Sequence, residues 1–301
     1  MEENLKCYDF KKYILKKGEF DEEIDATYII HLKNNNRLDH ILEQLTLYQP
    51  TKTIYIVFNE GFKKCSKSKF IKSTVDDLID ANYQILKHAN RMNYNNILVL
   101  EDDFIFNAEI KQDNHKKQII KFLKNNKNNP FMYLLGCAPI LLVPYNDYHY
   151  KPLLSGGMHA VIYNKQMRDI VISIDQKKIL DWDELGSWFR YKYTYYMPLC
   201  YQLFPETENS KSWGKNNSYL IEYCKQLGPT FLKMLQLDKK TEPGYKILYI
   251  ISKCLFFIII ILLIIICLLV IFFIILSLKK NFGSNIKNLY SKFIKKKFLS
   301  R

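Results

Sequence analysis

An unbroken apolar segment near the C-terminus constrains this chain of 301 residues most strongly. Between Cys254 and Leu278, Ser277 is the only clearly polar side chain. A bilayer core requires about 20 apolar residues in helical conformation, so this segment is long enough to cross a membrane with some tilt. Lys253 and Lys279 flank it, where their amines reach the headgroups. A helix buried in a globular core is the disfavoured alternative, because such helices seldom carry apolar side chains on every face.

Breaks in composition divide the remaining sequence into one large domain and short flanking segments. Pro243 and Gly244 are helix breakers and indicate a connection ahead of the apolar segment. The residues before them suffice for one α/β domain with a sizeable core. We expect a frayed helical lead-in (1–25), the main domain (26–236), a linker (237–253), a transmembrane helix (254–278) and a basic tail (279–301).

The basic excess of the chain lies mainly beside the apolar segment. The formal net charge is +14, but leaving out the ten basic and one acidic residues from Thr241 onward reduces it to +5 for residues 1–240. A basic tail next to a span attracts anionic lipid headgroups. The domain lacks the strong basic excess that supports nucleic-acid binding. We therefore expect membrane lipid as a partner and no nucleic acid.

The cysteines and the late position of the span bear on the compartment. Five cysteines lie outside the apolar segment without metal-ligand spacing, which favours a reducing compartment over a disulfide framework. Insertion of a late single span after synthesis would leave the domain in the cytosol, and we expect this topology. The positive-inside rule favours the opposite one, because it places the basic tail in the cytosol. Only then could the sequon at Asn216 be glycosylated.

Apolar and amphipathic segments alternate along the main domain. Helical spacing predicts helices that include residues 37–48, 115–124, 166–174 and 219–226, and another that begins near Thr74. Short apolar runs predict strands over 26–32, 53–58, 97–100, 131–135 and 158–163. This alternation predicts an α/β layer structure with a largely parallel sheet flanked by helices.

Three consecutive acids, Glu101, Asp102 and Asp103, directly follow the apolar run ILVL. In a parallel α/β sheet, ligands bind beyond the carboxyl ends of the strands, where these acids are expected to lie. Burying three carboxylates without a partner is costly, and Mg²⁺ or Mn²⁺ would offset their repulsion because both ions prefer oxygen ligands. A solvated acidic turn is the alternative, and the two interpretations are about equally favoured.

A glycine pair precedes the last predicted strand. Gly156 and Gly157 permit a ligand to approach the backbone closely, and His159 could bond a phosphate or a sugar hydroxyl. The alternative is an ordinary glycine turn followed by a histidine that faces the core, and the local sequence favours it.

Acidic and aromatic residues alternate in a further segment. Asp181 and Asp183 could take a proton from an acceptor hydroxyl. Trp182 and Trp188 offer flat faces against which a sugar ring could stack. The alternative is a helix N-terminus, where the helix dipole favours acids. The two interpretations carry equal weight.

These segments, in this order, resemble glycosyltransferase family 25, which includes lipopolysaccharide and collagen galactosyltransferases. ATYIIHLKNNNRLDHILEQL is similar to the opening strand and Arg-containing loop of the family, and NILVLEDDFIF to its EDD strand. GMHAVIYNKQM resembles its Gly-x-His-Ala strand start, and DWDE takes the place of a downstream Asp. MPLCYQLFPETENS resembles its late segment with Pro, Gln and Ser. The resemblance covers about residues 26–215.

Two segments depart from the family pattern. STVDDLIDANYQ replaces the usual Gly-Cys and Ser-His pair, and Arg37 is slightly displaced in an Asn-rich loop. Both lie where the donor base and ribose would bind, which leaves the donor open. Asn82 either replaces one missing donor contact or is a satisfied core asparagine, with equal weight for each.

The resemblance implies a GT-A-like, Rossmann-type fold and transfer of a sugar from a nucleotide-sugar donor, such as a UDP-sugar, to a glycan, protein or lipid hydroxyl. A membrane-anchored nucleotide-sugar-binding module without turnover and a structural membrane protein are the alternatives. In the enzyme hypothesis Asp183 is the base, with Asp181 second. The acids implied to hold Mn²⁺ or Mg²⁺ are Glu101, Asp102 and Asp103, and the residues implied to contact the donor are Arg37, Asn82, Gly156, Gly157 and His159.

Overall fold

The computed structural model describes residues 4–33, 35–187, 190–204, 228 and 230–298. The strands are β1 (Tyr8–Ile14), β2 (Ala26–Leu32), β3 (Thr53–Asn59), β4 (Asn96–Glu101), β5 (Ile105–Phe106), β6 (Met132–Leu134), β7 (Ala138–Pro144), β8 (His149–Gly156), β9 (Ala160–Asn164), β10 (Lys192–Tyr195) and β11 (Cys200–Tyr201). Nine of them form one sheet in the order β1-β3-β2-β4-β9-β6-β10-β8-β7, while β5 pairs with β11.

The central sheet is mixed, so the prediction of a largely parallel sheet is wrong. Parallel pairing joins β2 to β3, β2 to β4 and β6 to β10. The other five neighbouring pairs are antiparallel. β9 follows the antiparallel β7–β8 hairpin and runs between β4 and β6 against both of them. Antiparallel neighbours need no helical crossover, so the alternation of strands and helices in the sequence does not reveal them.

Helices cover both faces of this sheet. They are α1 (Leu38–Tyr48), α2 (Thr74–Arg91), α3 (Asp113–Asn126), α4 (Lys165–Ser173), α5 (Trp182–Ser187) and the first turns of α6 (Gly244–Phe298), with 3-10 turns at Leu5–Cys7, Ala108–Lys111 and Gln176–Lys178. Alternate residues of β2 point to opposite faces, because Tyr28 lies in the apolar cluster with α2 and Ile29 in the cluster with α1 and α3. The domain is therefore an α/β layer structure, as the sequence predicts.

The N-terminal residues belong to the sheet. β1 pairs antiparallel with the whole of β3, from Tyr8 opposite Asn59 to Ile14 opposite Thr53. The expected helical lead-in is therefore wrong for these residues. A disulfide joins Cys7 to Cys65, with their Cα atoms 5.8 Å apart, which corrects the expectation of unpaired cysteines. Because disulfides persist mainly in oxidising compartments, this bond also weighs against the reducing compartment that the cysteine pattern indicated.

α6 begins inside the segment that was expected to be a linker. Tyr245 and Tyr249 are buried, and the Ser252 hydroxyl donates to the Pro139 carbonyl at 2.6 Å. This first part of α6 belongs to a compact unit that ends at Lys253, and a second unit begins at Cys254. Among the described residues, the helical segment 244–279 is long and apolar enough to be a candidate membrane span.

Several sequence features lie outside the described residues. They are Trp188, Ser210, the sequon at Asn216, the helix expected over 219–226 and the last three residues of the basic tail.

Candidate active site

The acidic triplet lies where three strands of the sheet bring their ends together. β4 runs parallel to β2 and antiparallel to β9, so the end of β4 adjoins the end of β2 and the beginning of β9. The Glu101 N–H donates to the His159 carbonyl at 2.9 Å, which joins the triplet to the glycine segment. The predicted position of the acids at a strand end is therefore confirmed by the fold.

Asp102 is held by the Asn-rich loop that follows β2. Its Oδ1 lies 2.6 Å from Arg37 Nη1, and its Oδ2 accepts from the Asn35 amide and from the Leu32 N–H. His31 Nδ1 lies 3.6 Å from the same carboxylate. Burial alone would raise the pKa of Asp102, but His31, Arg37 and Asn35 together hold it below its ordinary value. Asp102 is thus an ionised, internally paired carboxylate that anchors this loop.

Glu101 and Asp103 converge on one amide. Gln202 Nε2 lies 3.0 Å from Asp103 Oδ1 and 3.4 Å from Glu101 Oε2, and Arg37 Nη1 lies 3.1 Å from Asp103 Oδ2. Burial, and then the charges of Asp103 and Asp183, raise the pKa of Glu101 well above its ordinary value. The corner therefore carries more negative charge than Arg37 neutralises, and it favours a proton or a cation.

Asp183 binds the backbone of the glycine segment. The Gly157 N–H donates to Asp183 Oδ2 and the Met158 N–H donates to Asp183 Oδ1, both at 2.8 Å. Gly157 has a φ of 75°, and a Cβ there would lie 3.3 Å from His159 Nδ1, so both conformation and space favour glycine. The Asp183 N–H in turn donates to Asp181 Oδ1 at 2.8 Å. Asp183 thus binds this turn through both of its side-chain oxygens, and Asp181 accepts the N–H of Asp183.

His159 is fully buried beside the acids. Its Nε2 lies 3.2 Å from the Cys200 carbonyl, to which it donates, and its Nδ1 has no partner among the described residues. Burial lowers the pKa of His159 in spite of the opposing charge of Asp103, so the imidazole is neutral near pH 7. The ring is fully buried, which matches the alternative of a histidine that faces the core, and its Nδ1 lies against the Gly157 segment.

Asn82 lies apart from these residues. It is buried within α2, and its Nδ2 donates to the Leu78 carbonyl of the same helix at 3.0 Å. This contact matches the satisfied core asparagine that was the alternative to a donor contact. The structure thus brings together the acids, Arg37, the glycines and His159, but not Asn82.

Two residues near the acids and the glycine segment, Gln202 and Lys192, were not singled out from the sequence. Gln202 appeared only within the family resemblance, although it bonds both Glu101 and Asp103. Its own backbone is held by Tyr245, whose hydroxyl accepts from the Gln202 N–H and donates to the Gln202 carbonyl.

Lys192 is buried on β10 and donates to Ser155 Oγ at 3.1 Å. The apolar-aromatic pattern around Lys192 gives no signal that this lysine faces inward.

The carboxylates can be compared with the needs of a divalent cation. Among the described residues, no group of three or more His, Cys, Asp or Glu side chains is arranged to hold a metal ion. Mg²⁺ and Mn²⁺ need only one or two carboxylates when water and phosphate oxygens complete the shell. The pair Glu101 and Asp103 fits that requirement in donor chemistry, because both converge on Gln202 and lack full compensation. Asp102 fits it poorly, since its oxygens already bind the Asn-rich loop.

No protein-family model and no curated protein matches the chain. Among solved structures, one that is similar to part of it is the crystal structure of a glycosyltransferase involved in the glycosylation of the major capsid of PBCV-1. The TM-score is 0.29 and the identity 10%, over 48% of this chain and 62% of that chain, which is less than two thirds of its length. A structural similarity this weak carries no argument about function, so the function has to be argued from the residues described above.

Proposed function

We propose that this protein is a membrane-anchored glycosyltransferase that moves a sugar from a nucleotide-sugar donor to an acceptor hydroxyl. One observation carries the proposal: two acidic segments that are far apart in the sequence meet at the end of β4, where the charges of Asp103 and Asp183 both act on Glu101. Glu101 and Asp103 share Gln202, while Asp183 binds the turn that leads into His159. Carboxylates with such different environments suit separate tasks in one reaction.

Asp183 is the proposed general base. Its two oxygens accept the N–H groups of Gly157 and Met158, which fixes the orientation of the carboxylate and leaves lone pairs for a proton. In the proposed step the acceptor oxygen bonds to the anomeric carbon and its proton passes to Asp183. The bond between that carbon and the diphosphate oxygen breaks, and the nucleoside diphosphate leaves with the electron pair.

Glu101 and Asp103 are the residues proposed to hold Mn²⁺ or Mg²⁺. Such an ion, when bound, would offset the negative charge on the departing diphosphate. Ion pairs with Asp102 and Asp103 hold Arg37 at the same corner, where its guanidinium adds a fixed positive charge. The segment of Gly157 and His159 is proposed to line the donor sugar, with its backbone held in place by Asp183.

A second candidate is a binding module that keeps the cleft without turnover. The observation that favours it is that Asp102, the central acid of the triplet, is engaged by Arg37 and Asn35 rather than open to a ligand. It predicts that nucleotide sugars bind without product. A structural membrane protein is the third candidate, and it predicts no metal-dependent binding of nucleotide sugars at all.

The test is a transfer and donor-hydrolysis assay with the full chain in detergent, a panel of nucleotide sugars and Mn²⁺. We expect release of nucleoside diphosphate, lowered by about 10²–10⁴-fold in Asp183→Asn, as for the loss of a general base. Asp147→Asn is the matched control, because Asp147 is exposed in the turn between β7 and β8. Equal release by the wild type and Asp183→Asn would refute the assignment of the base.

A further inference from the structure

The domain contains two buried lysines with very different surroundings. The Lys67 ammonium bonds Asp77, the Tyr8 hydroxyl and Asn59 Oδ1, the last at 2.8 Å. An ammonium has three N–H donors, so Lys67 is fully paired. It holds β1 and the beginning of α2 together, and its role is structural.

Lys192 is also shielded from solvent but largely unpaired. The residue is 3% exposed, and its ammonium donates only to Ser155 Oγ, at 3.1 Å, among the described residues. No carboxylate of the described part of the chain forms an ion pair with it. Burial lowers the pKa of Lys192, and the Cys137 thiol and then the charge of Asp183 oppose this effect. A buried ammonium with two unused donors destabilises a fold, so a structural role does not explain it.

Lys192 and Ser155 lie next to the glycine turn of the proposed site. Ser155 is half-buried and immediately precedes Gly156 and Gly157, and the latter donates its N–H to Asp183. A Cβ added at Gly156 would lie 3.7 Å from Asp183 Oδ2, so the backbone there runs close to the carboxylate. Ser155 Oγ accepts from Lys192, which leaves the hydroxyl hydrogen free to donate. Three donors, two from Lys192 and one from Ser155, are therefore available beside Asp183.

We propose that Lys192 and Ser155 form a subsite for a phosphoryl group of the ligand that occupies this cleft. A lysine ammonium binds phosphate as a point charge, and a serine hydroxyl adds a directed hydrogen bond. The assignment of that phosphoryl group to a substrate rests on the proposed function. It belongs either to the diphosphate of the donor or to a phosphorylated acceptor, and both present the same oxygens to the two side chains.

The experiment is a calorimetric titration of inorganic phosphate into the full chain in detergent, with chelator present to remove divalent ions. We expect saturable binding that weakens at least tenfold in Lys192→Met. We also expect Lys192→Met to keep or raise the thermal midpoint, because an unpaired buried charge is removed. Lys67→Met is the matched control and should lower the midpoint. Unchanged phosphate affinity in Lys192→Met, or a loss of stability as large as that of Lys67→Met, would overturn the subsite.

Ser155→Ala removes only the half-buried hydroxyl, and it too must weaken phosphate binding if the subsite exists. Titration with UDP then separates the two sources of the phosphoryl group. Weaker binding of UDP to Lys192→Met assigns the subsite to the donor, whereas unchanged binding of UDP with lost binding of phosphate assigns it to the acceptor. If the protein binds phosphate in a Lys192-dependent way and yet shows no transfer activity, that result would refute the proposed function but not the phosphoryl subsite.

Discussion

Breaking the disulfide between Cys7 and Cys65 should destabilise the domain by about 4 kcal/mol. The bond closes a loop with a sequence separation of 58 residues. The chain-entropy relation for a loop of that length gives about 4 kcal/mol at 25 °C, chiefly because the bond restricts the unfolded chain. A domain of this size loses about 2–4 °C in Tm per kcal/mol, so we expect Tm to fall by about 8–16 °C.

The measurement compares oxidised wild type with Cys7→Ser/Cys65→Ser, as full chains in detergent, by the fluorescence of the buried Trp182. β1 keeps its whole ladder with β3 in the variant, so the folded spectra should match. Reductant should lower the Tm of the wild type and leave that of the variant unchanged. A difference below about 1 kcal/mol between the oxidised protein and the variant would refute the loop-closure reasoning.

Three further predictions follow from the cleft and from the disulfide. Glu101→Gln should raise Tm at pH 7, because the pKa of Glu101 is higher in the folded protein than in the unfolded chain. The wild type therefore loses stability as pH rises from about 4.3 towards the folded pKa, whereas the variant does not. Tm scans at lower pH should show no difference between the two proteins. Asp183→Asn should lower the turnover number far more than the affinity for the nucleotide sugar, as kinetics and calorimetry together can measure; equal loss in both would contradict a role as base. In acid-quenched cells, Cys7 and Cys65 should resist alkylation until reductant is added, because they are joined by a disulfide and disulfides persist mainly in oxidising compartments. Free thiols would support the cytosolic topology.

The local pattern of the sequence predicted much of the centre of the sheet. The bounds expected for β2 agree with the structure, and ILVL forms the interior of β4, because buried β-branched runs leave few alternatives. β1 was not predicted, since its lysines face outward at an edge and hide its apolar alternation. The antiparallel direction of β9 was not predicted, because its pairing depends on the hairpin before it rather than on its own residues.

The site was predictable as a set of segments but not as a set of contacts. The acids and the glycines stood out because each follows or precedes an apolar strand. The contacts depend on loop geometry, which the sequence does not specify. In the structure Asp102 binds Arg37, while Glu101 and Asp103 share Gln202. Lys192 and the disulfide were missed because burial and proximity arise only when distant strands pack.

The proposed catalytic cleft depends most on the binding of a divalent cation and a diphosphate at the end of β4. Calorimetric titration of Mn²⁺ into the full chain in the presence of UDP measures this binding directly, with Asp103→Asn and the exposed control Asp147→Asn in parallel. The proposal predicts that the affinity for Mn²⁺ falls by at least tenfold in Asp103→Asn, as expected when a carboxylate ligand loses its charge, and is unchanged in the control. Equal affinity in all three proteins, or no binding of Mn²⁺ to the wild type, would contradict it.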